Sequence, residues 1–196
     1  LRKHARIYNC TTSYCDRPRF FQEALWLLLC GCGVGFSVQR HHVAKLPGIG
    51  RPASGHLTYV VPDTIEGWSD ALGALLSSYF TADQPLPEFA GKVVAFDYAL
   101  VRPKGRPISS GMGRAPGPEP LARSLEIIRK LLDRCLEAGQ TRLRPVDAYD
   151  ILMHASDAVL SGGVRRSATI CMFSPDDHEM ATAKTGNWFQ ENPQRA

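Results

Sequence analysis

The stretch from residue 7 to residue 38 constrains the fold more than any other part of the chain. Ile7-Tyr8-Asn9-Cys10-Thr11-Thr12 reads as a short strand. A helix follows from Arg19 to Leu29, with Phe20, Phe21, Ala24, Leu25 and Leu28 on one face. Gly31-Cys-Gly-Val-Gly-Phe-Ser-Val38 then turns through glycines into a second strand, apolar enough to be buried. Parallel strands need a long crossover, and a helix of this length supplies it. The stretch therefore predicts a βαβ unit and a parallel sheet, the mark of the α/β class.

The rest of the chain continues in the same manner. A Pro/Gly-rich loop at 47–55 precedes a strand at Thr58 to Val61. Asp63-Thr-Ile-Glu66 has the spacing of a capping box, with the Asp side chain as the cap. The helix it opens carries Trp68, Ala71, Leu72, Leu75, Leu76 and Tyr79 as its apolar stripe. Lys92 to Leu100 is a strand, and 103–120 is Gly/Pro/Ser-rich and irregular. Pro118 and Pro120 favour a helix start, Leu121, Leu125, Ile128, Leu132 and Cys135 repeat at helical spacing, and Gly139 suits the C′ position. A further helix is expected over Val146 to Leu160 and a strand over Arg166 to Phe173. Ser174-Pro175-Asp-Asp177 should cap a final helix ending near Gly186, after which 190–196 reads as a polar tail with no closing element. Opening on Leu1 and ending in that tail, the chain reads as part of a longer polypeptide.

Composition narrows the functional classes. Net charge is +4, with the arginines scattered among acids, which fits a small anionic ligand better than nucleic acid. No apolar run approaches the ~20 residues of a membrane span; the longest is 24–32. The six cysteines lack paired C-x-x-C spacing, so no zinc site and a cytoplasmic protein are expected. Read as strand neighbours, His41 and His42 would point to opposite faces and could not share an ion. No metal is expected.

Three segments carry candidate chemistry. Ser161-Gly-Gly-Val-Arg-Arg-Ser-Ala168 joins a helix to a strand through two glycines and two arginines, which suits a polyanion such as a triphosphate. A helix C-cap glycine followed by a solvated arginine pair accounts for it equally well. The loop 102–117 combines cations with glycines able to cradle phosphate, or is a plain surface loop. Cys10, at the end of a strand, is either an accessible redox thiol or a small apolar residue. Cys30-Gly-Cys-Gly-Val-Gly35 lacks the Lys-Ser/Thr of a P-loop and precedes a strand, so it is not a nucleotide fingerprint. Close backbone approach to a ligand and tight packing of a buried strand both remain open for it.

In order, YNC at 8–10, CGCGVGFSV at 30–38, VPDTIEGW at 61–68, DYALVRPKG at 97–105, GRAPGPEPL at 113–121, DAYDI at 147–151, GGVRRSA at 162–168 and SPDD at 174–177 form a series. That series resembles the adenosylcobalamin-dependent (class II) ribonucleotide reductases, of the ribonucleoside-triphosphate type. The resemblance implies a ten-stranded α/β barrel of two parallel halves, of which this chain is the first half plus an insertion at about 41–107. That insertion would supply in cis the effector surface, as in monomeric members.

The resemblance also implies site residues. Cys10 matches the first cysteine of the redox pair that reduces the ribose. Asn9, Cys32 and Gly33 match positions whose backbone approaches the substrate. Ser110, Gly111, Gly113 and Arg114 match the first specificity loop. Gly162, Gly163, Val164, Arg166 and Ser167 match the second, where Arg165 would touch the substrate base or phosphates. The implied ligands are a ribonucleoside triphosphate substrate, a deoxynucleoside triphosphate effector, adenosylcobalamin and a thioredoxin-type reductant, with no nucleic acid and no membrane, in a full-length monomer. An Asn-Pro-Cys-Gly-Glu type finger loop is absent from residues 1–196. The radical cysteine, the glutamate acid/base, the second redox cysteine and most cobalamin contacts are therefore expected beyond Ala196, and the chain alone is not expected to turn over. Two rivals are a class I large-subunit fragment, which shares the Cys10 position, and a non-catalytic nucleotide-binding module.

Overall fold

The computed structural model describes residues 8–107, 114–160 and 168–196. β1 (Cys10–Tyr14), β2 (Gly33–Ser37) and β5 (Thr169–Met172) form a parallel sheet of order β1-β2-β5. Cys10 pairs with Gly33 and Tyr14 with Ser37; Val34 pairs with Thr169 and Ser37 with Met172. The crossover from β1 to β2 is α1 (Arg19–Leu29), so the expected βαβ unit is present. Its first strand starts later than expected, at Cys10 rather than residue 7, which lies outside the described residues. Pairing with β2 sets that register.

One face of this sheet is covered by α1 and by α5 (Pro145–Leu160). Phe20 and Phe21 of α1, Phe36 of β2 and Tyr149 of α5 are buried together, with Phe20 and Phe36 rings 5.9 Å apart and Phe36 and Tyr149 rings 6.4 Å apart. Aromatic side chains of this size contribute most of the apolar area in such a core. α4 (Glu119–Glu137) packs against α5 along Leu121, Leu125, Ile128, Leu132 and Cys135, the stripe read from the sequence. Gly139 follows with φ +79°, the left-handed geometry of a C′ glycine.

Between β2 and α4 the chain forms a smaller unit. The short helix α2 (Arg40–Val43) leads to β3 (His56–Val60), α3 (Ile65–Tyr79) and β4 (Val93–Asp97); β3 and β4 pair in parallel. α3 packs on α1 and is buried on nearly every side. Its start differs from expectation. Thr64, not Asp63, is the N-cap, and its Oγ1 accepts from the Gly67 N–H at 2.9 Å. Asp63 is drawn instead to Arg102, whose Nε donates to it at 2.6 Å, and Glu66 accepts from the Trp26 indole N–H at 3.4 Å. The cap is real, but long-range partners took both acids of the expected box.

Two further expectations are corrected. His41 and His42 lie on helix α2, not on a strand, and their rings are neighbours with centroids 3.9 Å apart. The segment after Ser174 is not one long helix followed by an open tail. α6 (His178–Thr182), capped by Asp177, is followed by α7 (Trp188–Glu191) and a 3-10 turn at Pro193–Arg195. The Arg195 guanidinium donates to both carboxylate oxygens of Asp150 on α5, with Nε to Oδ1 at 2.7 Å, and to the Ala183 carbonyl. Sequence polarity concealed this closure because the buried contact is an ion pair. No helix among the described residues is long and apolar enough to cross a membrane.

Candidate functional site

Parallel pairing brings the N-terminal ends of β1 and β2 together, and with them four residues singled out in the sequence. The Gly33 N–H donates to the Asn9 carbonyl at 2.9 Å, fixing the segment that carries Cys10. Cys10 and Asn9 are exposed, whereas Cys32 is fully buried. The Cys32 thiol donates to the Tyr8 carbonyl at 3.2 Å. Its side chain is thus turned inward and braces the entry to β1. Burial pushes the Cys32 thiol up, and the neighbouring Cys10 thiol adds to the shift. Of the two, Cys10 is the accessible thiol, and access is what thiol chemistry requires.

A Cβ built on Gly33 would lie 3.5 Å from Cys10 Sγ, so the thiol stands over the glycine. Two residues on, a Cβ on Gly35 would meet Thr12 Cγ2 at 3.2 Å and Ile170 Cγ2 at 3.4 Å. The two glycines on β2 therefore floor a trough, walled by Cys10 and Thr12 on one side and by Ile170 on the other. Ile170 is 70% exposed and Tyr14 54%, so this face of the sheet is open while the opposite face is packed by helices. Thr12 and Ile170 were not singled out in the sequence, and Gly35 only as the last glycine of the 30–35 stretch. The period of two along a strand, applied from Gly33 to Gly35, was the signal that could have found them.

The two glycine-rich loops divide differently. Ser110, Gly111 and Gly113 lie outside the described residues, as do Gly162, Gly163, Val164, Arg165, Arg166 and Ser167. The downstream edge of the second loop is described: the Ala168 carbonyl accepts from the Val34 N–H at 2.8 Å, next to Gly33. β5 thus delivers the end of that loop to the same corner of the sheet as Cys10. Arg114 is described and exposed. Its Nη1 donates to the Gly105 carbonyl at 3.0 Å, and Pro107 and Arg114 form an isolated bridge, so this arginine is engaged with its own loop.

A second concavity was not foreseen. Between β4 and the first half of α4 lies a groove of about 260 Å³, lined by Val94, Phe96, Tyr98, Leu125, Glu126 and Arg129. Arg129 Nη2 donates to the Val94 carbonyl at 2.6 Å and so covers an edge group of β4. Burial pushes the Tyr98 hydroxyl up to about 12, against the opposing charge of Arg129. The groove is far too small for a corrin ring. Among the described residues, no cluster of His, Cys, Asp or Glu is arranged to hold a metal ion.

The comparisons with known proteins agree with one another. Residues 37–132 match the family model described as "B12-dependent ribonucleotide reductase, insertion domain". The adenosylcobalamin-dependent ribonucleoside-triphosphate reductase of Lacticaseibacillus paracasei is 33% identical over 190 residues, covering 80% of this chain and 25% of that protein. The Lactobacillus leichmannii protein of the same name is 32% identical over 187 residues, 80% of this chain and 24% of that protein. A probable adenosylcobalamin-dependent ribonucleoside-triphosphate reductase of Dictyostelium discoideum is 34% identical over 139 residues, 70% of this chain and 16% of that protein. The crystal structure of a B12-dependent (class II) ribonucleotide reductase superposes with a TM-score of 0.77 at 23% identity, covering 96% of this chain and 31% of that one. The chain therefore spans about a quarter or less of the length of these curated relatives.

Proposed function

We propose that this chain, which belongs to the family of B12-dependent (class II) ribonucleotide reductases, serves in the complete enzyme to convert ribonucleoside triphosphates to 2′-deoxyribonucleoside triphosphates. The single observation that carries this reading is the Cys10 thiol, exposed on the open face of a parallel sheet and standing over Gly33. In this reading the three-stranded sheet belongs to the first half of a ten-stranded barrel, its open face turned to the barrel interior.

Cys10 and a second thiol from the remainder of the polypeptide supply the reducing equivalents. Two thiols become one disulfide, the ribose 2′-hydroxyl leaves as water, and hydrogen takes its place at the 2′ carbon. A thioredoxin-type dithiol then returns the pair to the reduced state. The Asn9 backbone, pinned by Gly33, sets the height of Cys10 at the sheet edge, and the two glycines leave room for a sugar above it. Adenosylcobalamin, when bound by the complete enzyme, supplies the radical that such chemistry requires. No described residue of this chain is assigned to hold it. Residues 41–107 are read as the insertion that forms the site for a deoxynucleoside triphosphate effector. The loops around Arg114 and at 162–167 are read as the specificity loops, with Arg165 against the substrate. The complete enzyme is read as a cytoplasmic monomer.

The test uses the full-length polypeptide, assayed for deoxynucleotide formation with and without adenosylcobalamin. Cofactor-dependent turnover that disappears in Cys10→Ser supports the reading. Turnover that survives Cys10→Ser, or that requires a separate metal-radical subunit, overturns it.

A further inference from the structure

We propose that Arg40 is a positioning residue that couples the segment 41–107, which it immediately precedes, to strand β5, so that nucleotide bound at one alters affinity at the other. The proposal rests on the effector-site reading of that segment. Arg40 is the first residue of α2, at the root of the segment where it leaves β2. The partners of its N–H and guanidinium among the described residues lie on the turn that follows β5, far off in sequence. The Arg40 N–H donates to Ser174 Oγ at 3.1 Å, and Nη2 donates to the Asp176 carbonyl at 2.9 Å. Nη1 pairs with the Asp176 carboxylate, and Nε lies 4.0 Å from Asp177 Oδ2. Asp177 is itself held, accepting from the Met180 N–H at 3.1 Å as the cap of α6.

These contacts complete a fastening that the backbone begins. β5 is bonded to β2 at its start by Val34 N–H to the Ala168 carbonyl, and at its end by Val38 N–H to the Met172 carbonyl, each within 2.9 Å. Arg40 then clamps the next turn with backbone and side chain together. A shift of α2 is thereby passed to the turn after β5 and so to the strand itself, which in the chain follows residues 162–167. Arginine suits the position because its planar fork can hold a carbonyl and a carboxylate at once, which a lysine ammonium does not reproduce. The Arg40 and Asp176 side chains are 50% and 73% exposed, so their ionic contact is open to screening by salt.

The experiment uses the full-length reductase without adenosylcobalamin, so that no turnover occurs. Affinities are measured for each deoxynucleoside triphosphate in the presence and absence of each ribonucleoside triphosphate. The ratio is the coupling, which by linkage is the same in both directions. The wild type should show a coupling of about 5-fold or more for at least one pair, as allosteric couplings usually do. Arg40→Ala should bring it to within about twofold of unity while leaving effector affinity without substrate nearly unchanged, since only the link is cut. Ser174→Ala should lower it partially, and raised salt should lower it in the wild type. Glu179→Gln, which removes an Arg144 contact that does not involve α2, should leave it intact. A wild type with no coupling overturns the effector reading itself. A coupled wild type whose coupling survives in both Arg40→Ala and Ser174→Ala overturns the role of Arg40 alone. If melting curves show Arg40→Ala to be unfolded, Ser174→Ala decides, and full coupling in that variant counts against the proposal.

Discussion

Gly33 stands opposite Cys10 across the β1–β2 ladder, close enough that a methyl group there would lie 3.5 Å from the thiol sulfur. The same methyl would lie 3.7 Å from the Asn9 carbonyl and 3.8 Å from that of Ala168, which are ordinary contact distances. Gly33→Ala is therefore expected to fold with little change in melting temperature yet to crowd the space over Cys10. Alkylation of Cys10 by iodoacetamide, followed by mass spectrometry, should slow several-fold. An unchanged rate in a folded variant would show that the glycine does not govern access to the thiol.

Gly35→Ala should behave differently. Its Cβ would meet Thr12 at 3.2 Å and Ile170 at 3.4 Å, on the two flanking strands. Overpacking of this kind costs about 1–3 kcal/mol, and since both neighbours are exposed side chains that can turn aside, the loss should fall near the lower end. Chemical denaturation should report a loss within that range, and Thr12→Ser, which removes the nearer methyl, should recover part of it in the double variant.

The start of α3 offers a cap at Thr64 and a close approach at Gly67, three residues on. Thr64→Ala removes the acceptor for the Gly67 N–H and is expected to cost about 1 kcal/mol. Gly67→Ala should cost more, because its Cβ would fall 2.7 Å from the Pro62 carbonyl oxygen, which is backbone and cannot swing aside. Equilibrium unfolding should rank the two in that order. The reverse order would mean that the turn at Pro62 relaxes freely.

Asp150 and Arg195 form an ion pair with side chains only 13% and 12% exposed. Removing one partner leaves the other charged and largely dry, so Asp150→Ala should destabilise the protein by about 3 kcal/mol. Proteolysis should then cut first near 184–196, where the chain is held to α5 by this pair. Resistance equal to wild type would place the hold elsewhere.

The acid limb of stability should depend on Asp147. Burial disfavours its charge, but hydrogen bonds from the Arg144 side chain, the Arg144 backbone and the Gln140 amide outweigh that and hold its carboxyl below the usual range. A carboxylate depressed in the folded state stabilises above its unfolded value of about 3.9, and that stabilisation is lost as pH falls through the folded value. Asp147→Asn should thus weaken the protein at neutral pH and flatten its stability curve below about pH 4. An unaltered acid limb in the variant would assign it to other groups.

The local elements were legible because their signals are local. Leu121, Leu125, Ile128 and Leu132 mark α4 by spacing alone, and the alternation of strand, helix and glycine-rich strand marks the βαβ unit. The capping box failed for the opposite reason: Asp63 and Glu66 had partners, Arg102 and Trp26, some forty residues distant. Likewise, the polar tail looked open because Asp150 is distant in the chain from Arg195.

The candidate site divides in the same manner. The sequence by itself determined the α/β class, the order of the elements, the cysteine on the first strand and, through an ordered series of short motifs, the family. Tertiary structure alone decided that Cys10 rather than Cys32 presents its thiol, that Gly33 and Gly35 floor one trough with Thr12 and Ile170, and that Arg40 reaches Ser174 and Asp176. Helix and strand formation reads neighbours within a few residues, so one chain position predicts the next. Exposure, steric room and clamping depend on which distant backbone comes alongside, and that is set only when the strands pair and the helices close over one face of the sheet.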